Sequence, residues 1–136
     1  MATERFVLDS YALLALLQDA PEAEPVKGLV ERALSGKCDL AMSIVNLGEV
    51  AYITEREKGL SKAQEVLARV DELPIRFVAA NRSHAMAAAH IKAHWPMAYA
   101  DCFAAALAVI EDAAVVTGDP EFEQLESASV LQVAWL

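Results

Sequence analysis

The sequence runs out of positive charge well before its end. No Lys or Arg follows Lys92, yet that same stretch holds Asp101, Glu111, Asp112, Asp119, Glu121, Glu123 and Glu126. Over the whole chain 11 Lys and Arg face 20 Asp and Glu, a net charge of -9. Such a chain is a poor non-specific binder of nucleic acid, so action on a phosphate polymer would need mediating cations or a basic partner. Only two cysteines occur, Cys38 and Cys102, both in apolar surroundings. They read as buried free thiols of a cytoplasmic protein rather than as a disulfide framework. No apolar run approaches the ~18 residues that a membrane span needs, so no membrane partner is expected. Glu4 and Arg5 stand directly before a strand-like run, which does not read as a signal peptide. Repeats, linkers and low-complexity tracts are lacking as well.

What is present is material for a core. Hydrophobic residues make up 56% of 136 residues, which predicts one ordinary domain over 1–136 and excludes a disordered chain. "RFVLD" has no polar alternation and reads as a strand covered on both faces. "SYALLALLQ" reads as a helix, "DAPEAEP" as a loop and "VKGLVERALSG" as a second helix ended by Gly36. "CDLAMS" is a short strand. Ser43 is the expected N-cap of "IVNLGEVAYITEREKG", and Ser61 with Gln64 the expected capping box of "SKAQEVLARVDEL". After Pro74 come a strand, "IRFVAA", and a helix capped by Asn81, "RSHAMAAAHIKAH". Trp95-Pro96 separates that helix from "MAYADCFAAALAVIED". The strand "AAVVT", the turn and short helix "GDPEFEQLE" and the strand "VLQVAWL" complete the chain. Strands alternating with helices predict an α/β fold with a mainly parallel sheet and right-handed crossovers.

Four acids stand apart from the solvated majority. Asp9 follows the first strand, where open parallel sheets bind ligands, although an N-cap would sit in the same place. Glu49 has Val45, Tyr52 and Ile53 as helical neighbours, the edge of an apolar face. Asp101 lies among Met97, Ala98, Ala104 and Ala105 on a helix that is apolar nearly all round. A first-turn acid suits the helix dipole, but a buried carboxylate needs a cation, a donor set or a proton, and no Lys or Arg is near in sequence. Asp119 follows a strand and precedes Pro120, a good N-cap and N1 pair. Gathered without cations, four acids would raise one another's pKa values. A divalent metal resolves this, and all-oxygen ligands suit Mg²⁺ or Mn²⁺ rather than Zn²⁺. That is the arrangement of metal-assisted phosphodiester hydrolysis.

"FVLDSYALLALL", "SIVNLGEV", "AYADCFAAALA" and "VVTGDPEF", in this order and over nearly the whole chain, resemble a PIN domain of the VapC toxin ribonuclease type. The resemblance implies a three-layer α/β/α sandwich around a central parallel sheet of about five strands. It carries an acidic quartet onto Asp9, Glu49, Asp101 and Asp119, with Ser10 and Thr117 as polar helpers. Asp9 and Asp101 would be the principal metal ligands. The implied activity is Mg²⁺-dependent endonucleolytic cleavage of RNA, with Mn²⁺ as a substitute. Implied partners are an antitoxin protein of a type II toxin–antitoxin pair and a second copy of the chain in a homodimer.

Other readings fit less well. A haloacid-dehalogenase-type phosphatase needs a second Asp where Tyr11 stands, and a receiver domain needs a late Lys. A catalytically inactive PIN-like module that binds RNA or protein is the remaining alternative, though it would have no use for four mutually repelling acids. His84, His90 and His94 share one predicted helix, but Ile91 stands where a zincin has Glu, so an exposed polar face with Arg82 and Lys92 is expected. Tyr11, Trp95, Phe122 and Trp135 are expected in the core or a dimer interface.

Overall fold

The computed structural model describes residues 3–136. The elements run β1 (Glu4–Leu8), α1 (Ser10–Leu17), α2 (Ala23–Leu34), β2 (Cys38–Ser43), α3 (Ile44–Lys58) and α4 (Leu60–Val70). Then follow β3 (Ile75–Val78), α5 (Arg82–His94), α6 (Tyr99–Glu111), β4 (Ala114–Thr117), a 3₁₀ turn (Pro120–Phe122), α7 (Glu123–Ser127) and β5 (Gln132–Trp135). All five strands are parallel, in the order β3-β2-β1-β4-β5.

Alternation along each strand splits the core into two layers. Val7, Ala41 and Val115, in register across the sheet, face α5, α6 and the Phe122–Leu125 segment. Leu8, Leu40, Met42, Ile75 and Val116 face α1, α2, α3 and α4. Each strand is covered on both sides, which is why the strands carry so few polar residues. The expected α/β/α sandwich is therefore the observed one. Cys38 and Cys102 are free and buried, and among the described residues no single helix is long and apolar enough to cross a membrane.

Local departures have local causes. α2 starts at Ala23, inside the expected loop, with Pro25 in its first turn. There the missing N–H costs nothing, because the first N–H groups of a helix lack partners anyway. The expected Ser61–Gln64 box does not form. Gly59 takes φ 90°, ends α3 and starts α4 directly at Leu60; such a φ favours a residue without Cβ. Ser43 and Asn81 cap as expected, accepting from Val45 N and His84 N. His84 is buried rather than part of an exposed histidine face, whereas His90 and His94 are exposed. Phe122 is core as expected, and Tyr11 and Trp135 lie outside the core, partly exposed.

Candidate active site

The chain builds β1, β2 and β3 to one side and then crosses to lay β4 on the other flank of β1. A reversal of this kind opens a crevice beyond the carboxyl ends of the two strands. Asp9 directly follows β1, and Thr117, Gly118 and Asp119 end and follow β4. The ends are joined, since Asp9 N donates to Val116 O at 3.4 Å.

Asp9 is almost fully buried. Its Oδ1 accepts from Ala12 N at 2.9 Å, so the capping role is real. Its Oδ2 accepts from the Thr117 hydroxyl. That hydroxyl oxygen in turn accepts from Asp119 N at 2.9 Å. One buried Thr thus fixes two acids that are 110 positions apart. Asp119 Oδ1 caps the 3₁₀ turn by accepting from Glu121 N at 3.0 Å.

The helices bring the other two. Asp101 is half-buried in the first turn of α6, and Glu49 is half-buried on α3. Oxygens of Asp101, Asp119 and Glu121 lie within 4.8 Å of one another. Burial, then the charges of Asp119, Asp9, Glu49 and Glu121, push the Asp101 carboxyl up to about 7. Burial also pushes Asp9 up to about 6, helped by the Asp119 and Glu49 charges and opposed by its bonds from Thr117 and Ala12. Among the described residues, none of these five acids takes part in an ion pair.

Two residues of this region escaped the sequence reading. Glu121 is exposed yet brings a carboxylate oxygen to Asp101 and Asp119; the Asp-Pro-Glu spelling, a capped tight turn, is the signal that could have found it. Asn46 is fully buried, and its Nδ2 donates to Ser10 Oγ at 3.3 Å and to Ala100 O at 3.0 Å. Ser10 Oγ donates back to Asn46 O at 3.3 Å. This knot joins α1, α3 and the start of α6 one residue from Asp9 and one from Asp101.

The family model of the PIN domain matches residues 6–127. The chain belongs to the PIN domain family. No curated protein matches it in sequence. Solved PIN-fold relatives match over nearly the full length. The structure of VapBC2 from Rickettsia felis bound to a promoter DNA fragment is 16% identical, with TM-score 0.76, covering 96% of this chain and 97% of that one. DNA-bound VapBC from Salmonella typhimurium is 17% identical, with TM-score 0.76 and coverage of 97% and 98%. VapC20 from Mycobacterium tuberculosis, a sarcin-ricin loop cleaving toxin, is 15% identical, with TM-score 0.65 and coverage of 88% and 93%. At these identities the likeness carries the fold alone.

Proposed function

We propose that this PIN domain is a divalent-metal-dependent endoribonuclease, acting as one domain and as the toxin of a type II toxin–antitoxin pair. One observation carries the reading: five acids crowd the switch-point crevice, two with raised pKa values and none with a cationic partner. Hard oxygen donors held close together fit Mg²⁺ or Mn²⁺.

Asp101 and Asp119 would hold the ion, with Glu121 beside them and with Asp9 and Glu49 completing its surroundings. Bound there, the ion supplies Lewis-acid polarisation of a phosphoryl oxygen and a more acidic water. The chain's own residues do the rest. Thr117 holds Asp9 and Asp119 in fixed relation, so neither must reorganise during the reaction. The Glu49 carboxylate makes no hydrogen bond or ion pair among the described residues, so it is free to orient a water or accept its proton. In-line attack on phosphorus would leave a 5′-phosphate and a 3′-hydroxyl.

The solved relatives named as VapBC complexes support an antitoxin partner for this chain. A homodimer and a cytoplasmic location belong to the same reading. The test is cleavage of a mixed RNA panel, including tRNA and rRNA fragments, in Mg²⁺, Mn²⁺ or EDTA. The expected result is metal-dependent cutting that Asp101→Asn abolishes. Cutting that persists in EDTA, or in the variant, would overturn the reading.

A further inference from the structure

Gly118 lies between Thr117 and Asp119, yet its backbone is not in the left-handed region, unlike Gly36 and Gly59. The glycine is therefore not needed for its φ. It is needed for room. A Cβ there would sit against Cε1 of Tyr11, 2.6 Å from Cζ and 2.9 Å from the hydroxyl oxygen. The hydroxyl-bearing end of the Tyr11 ring is thus packed against the backbone of the segment that carries Asp119. Its own backbone stands two residues beyond Asp9, in the first turn of α1. The ring spans the two acid-bearing strand ends, and 39% of the residue remains in solvent.

A partly exposed aromatic ring held against backbone beside the acids can serve as a stacking partner for a base. The charge of the chain gives such a partner a purpose. With a net charge of -9 and no Lys or Arg after Lys92, little attraction for the phosphate backbone comes from this part of the protein. Base stacking supplies affinity that does not depend on charge, because every nucleobase has a π-face. Stacking also requires that the base be free of its own duplex neighbours.

We propose that Tyr11, seated in the space left by Gly118, stacks an unpaired base of the RNA next to the cleaved phosphodiester. The inference rests on the ribonuclease reading and assigns a base-binding residue beside that site.

The test combines binding with kinetics. Binding of a labelled single-stranded RNA in Mg²⁺ is measured by fluorescence anisotropy in the Asp101→Asn background, where no cutting intervenes. Tyr11→Ala should raise Kd about tenfold, the typical worth of one stacked base. Tyr11→Phe should leave it unchanged, because the ring is kept. Binding of a fully paired duplex of the same sequence should not respond to Tyr11. In the otherwise unaltered enzyme, Tyr11→Ala should raise KM by the same factor with little change in kcat. Gly118→Ala should reproduce the effect by displacing the ring, and should add nothing once Tyr11→Ala is present. That non-additivity is a signature a general folding defect would not give.

Equal Kd and KM for Tyr11→Ala and the unaltered protein would overturn the proposal while leaving the nuclease standing. A loss with Tyr11→Phe as large as with Tyr11→Ala would also overturn it, assigning the role to the hydroxyl. Tyr11-dependent binding of single-stranded RNA by a protein that cuts no RNA would support the stacking site and defeat the nuclease reading instead.

Discussion

The two ends of the sheet use acids in opposite ways. At the amino ends of the strands Glu4, Asp39 and Glu111 each meet an arginine. Arg76 on β3 reaches Asp39 on β2 at 2.9 Å and Glu111 at the end of α6 at 2.5 Å, and Glu4 meets Arg32 at 2.5 Å. Arg5 donates to the Glu111 carbonyl at 3.2 Å. These two acids hold the Arg76 guanidinium more firmly protonated than usual. At the carboxyl ends five acids gather and no arginine answers them. A broad depression does open at the amino end, lined by Arg5, Glu111 and Val133 among others. Concavity alone does not make a site, and Glu4 and Glu111 in this one are already paired with arginines. The lesson is that unfinished electrostatics, rather than shape or acid count, distinguishes a working end from a structural one.

The two ends of the sheet differ most at Asp101. Asp101→Asn should cut RNA cleavage by more than about 100-fold, beyond the 10–100-fold usual for residues that only support a metal ligand. The same change should raise the metal-free melting temperature at pH 8, since an uncompensated charge is removed. A lower melting temperature there would contradict the crowding argument.

Next in size is metal itself. Mg²⁺ at 100 times its Kd should stabilise the protein by about 2.7 kcal/mol, and Asp101→Asn should lose most of this. Calorimetry with and without EDTA reads it, and no shift in millimolar metal would weigh heavily against a metal site. Thr117→Val should follow. It strips Asp9 Oδ2 and Asp119 N of a buried partner, a cost of about 1–3 kcal/mol by denaturant unfolding. It should also push Asp9 higher still, because the Thr117 bond is a cause that lowers it.

The pH dependence is gentler. Asp9 and Asp101 have folded pKa values of about 6 and about 7, above the ordinary carboxylate range. The metal-free folded chain therefore binds more protons than the unfolded one between about pH 4 and 7, and its stability should fall as pH rises through that window. Asp101 is still partly solvated, so screening should hold its share to roughly 1–2 kcal/mol. A metal-free melting temperature that rises from pH 5 to pH 7.5 would defeat this. The smallest effect belongs to the other end: Arg76→Met should cost about 1 kcal/mol, diminish in high salt and leave cleavage unchanged.

Much of this was legible along the chain. The uninterrupted apolar strands spelled a doubly covered parallel sheet, and the family resemblance of "FVLDSYALLALL" through "VVTGDPEF" is matched by the PIN model over residues 6–127. Asp9 and Asp119 stood at strand ends, and Asp101 stood in an apolar helix without a cation. Ser43 and Asn81 were readable because N-capping is a local event. The misread start of α4 was local too, but it turned on Gly59 choosing φ 90°, which competes with a good capping sequence only once α3 and α4 are packed together.

The sequence by itself determined the alternation of elements and the identity of the isolated acids, because strand and helix patterning and capping act over a few residues at a time. Only the tertiary structure decided that β4 lies against β1. That pairing puts Thr117 between Asp9 and Asp119, brings Glu121 within reach of Asp101 and lays Tyr11 on Gly118, while the pairing of β1 with β2 ties Ser10 to Asn46. These meetings join segments up to 110 positions apart, and nothing short of the closed sheet and its packed helices holds such distant side chains within a few ångströms.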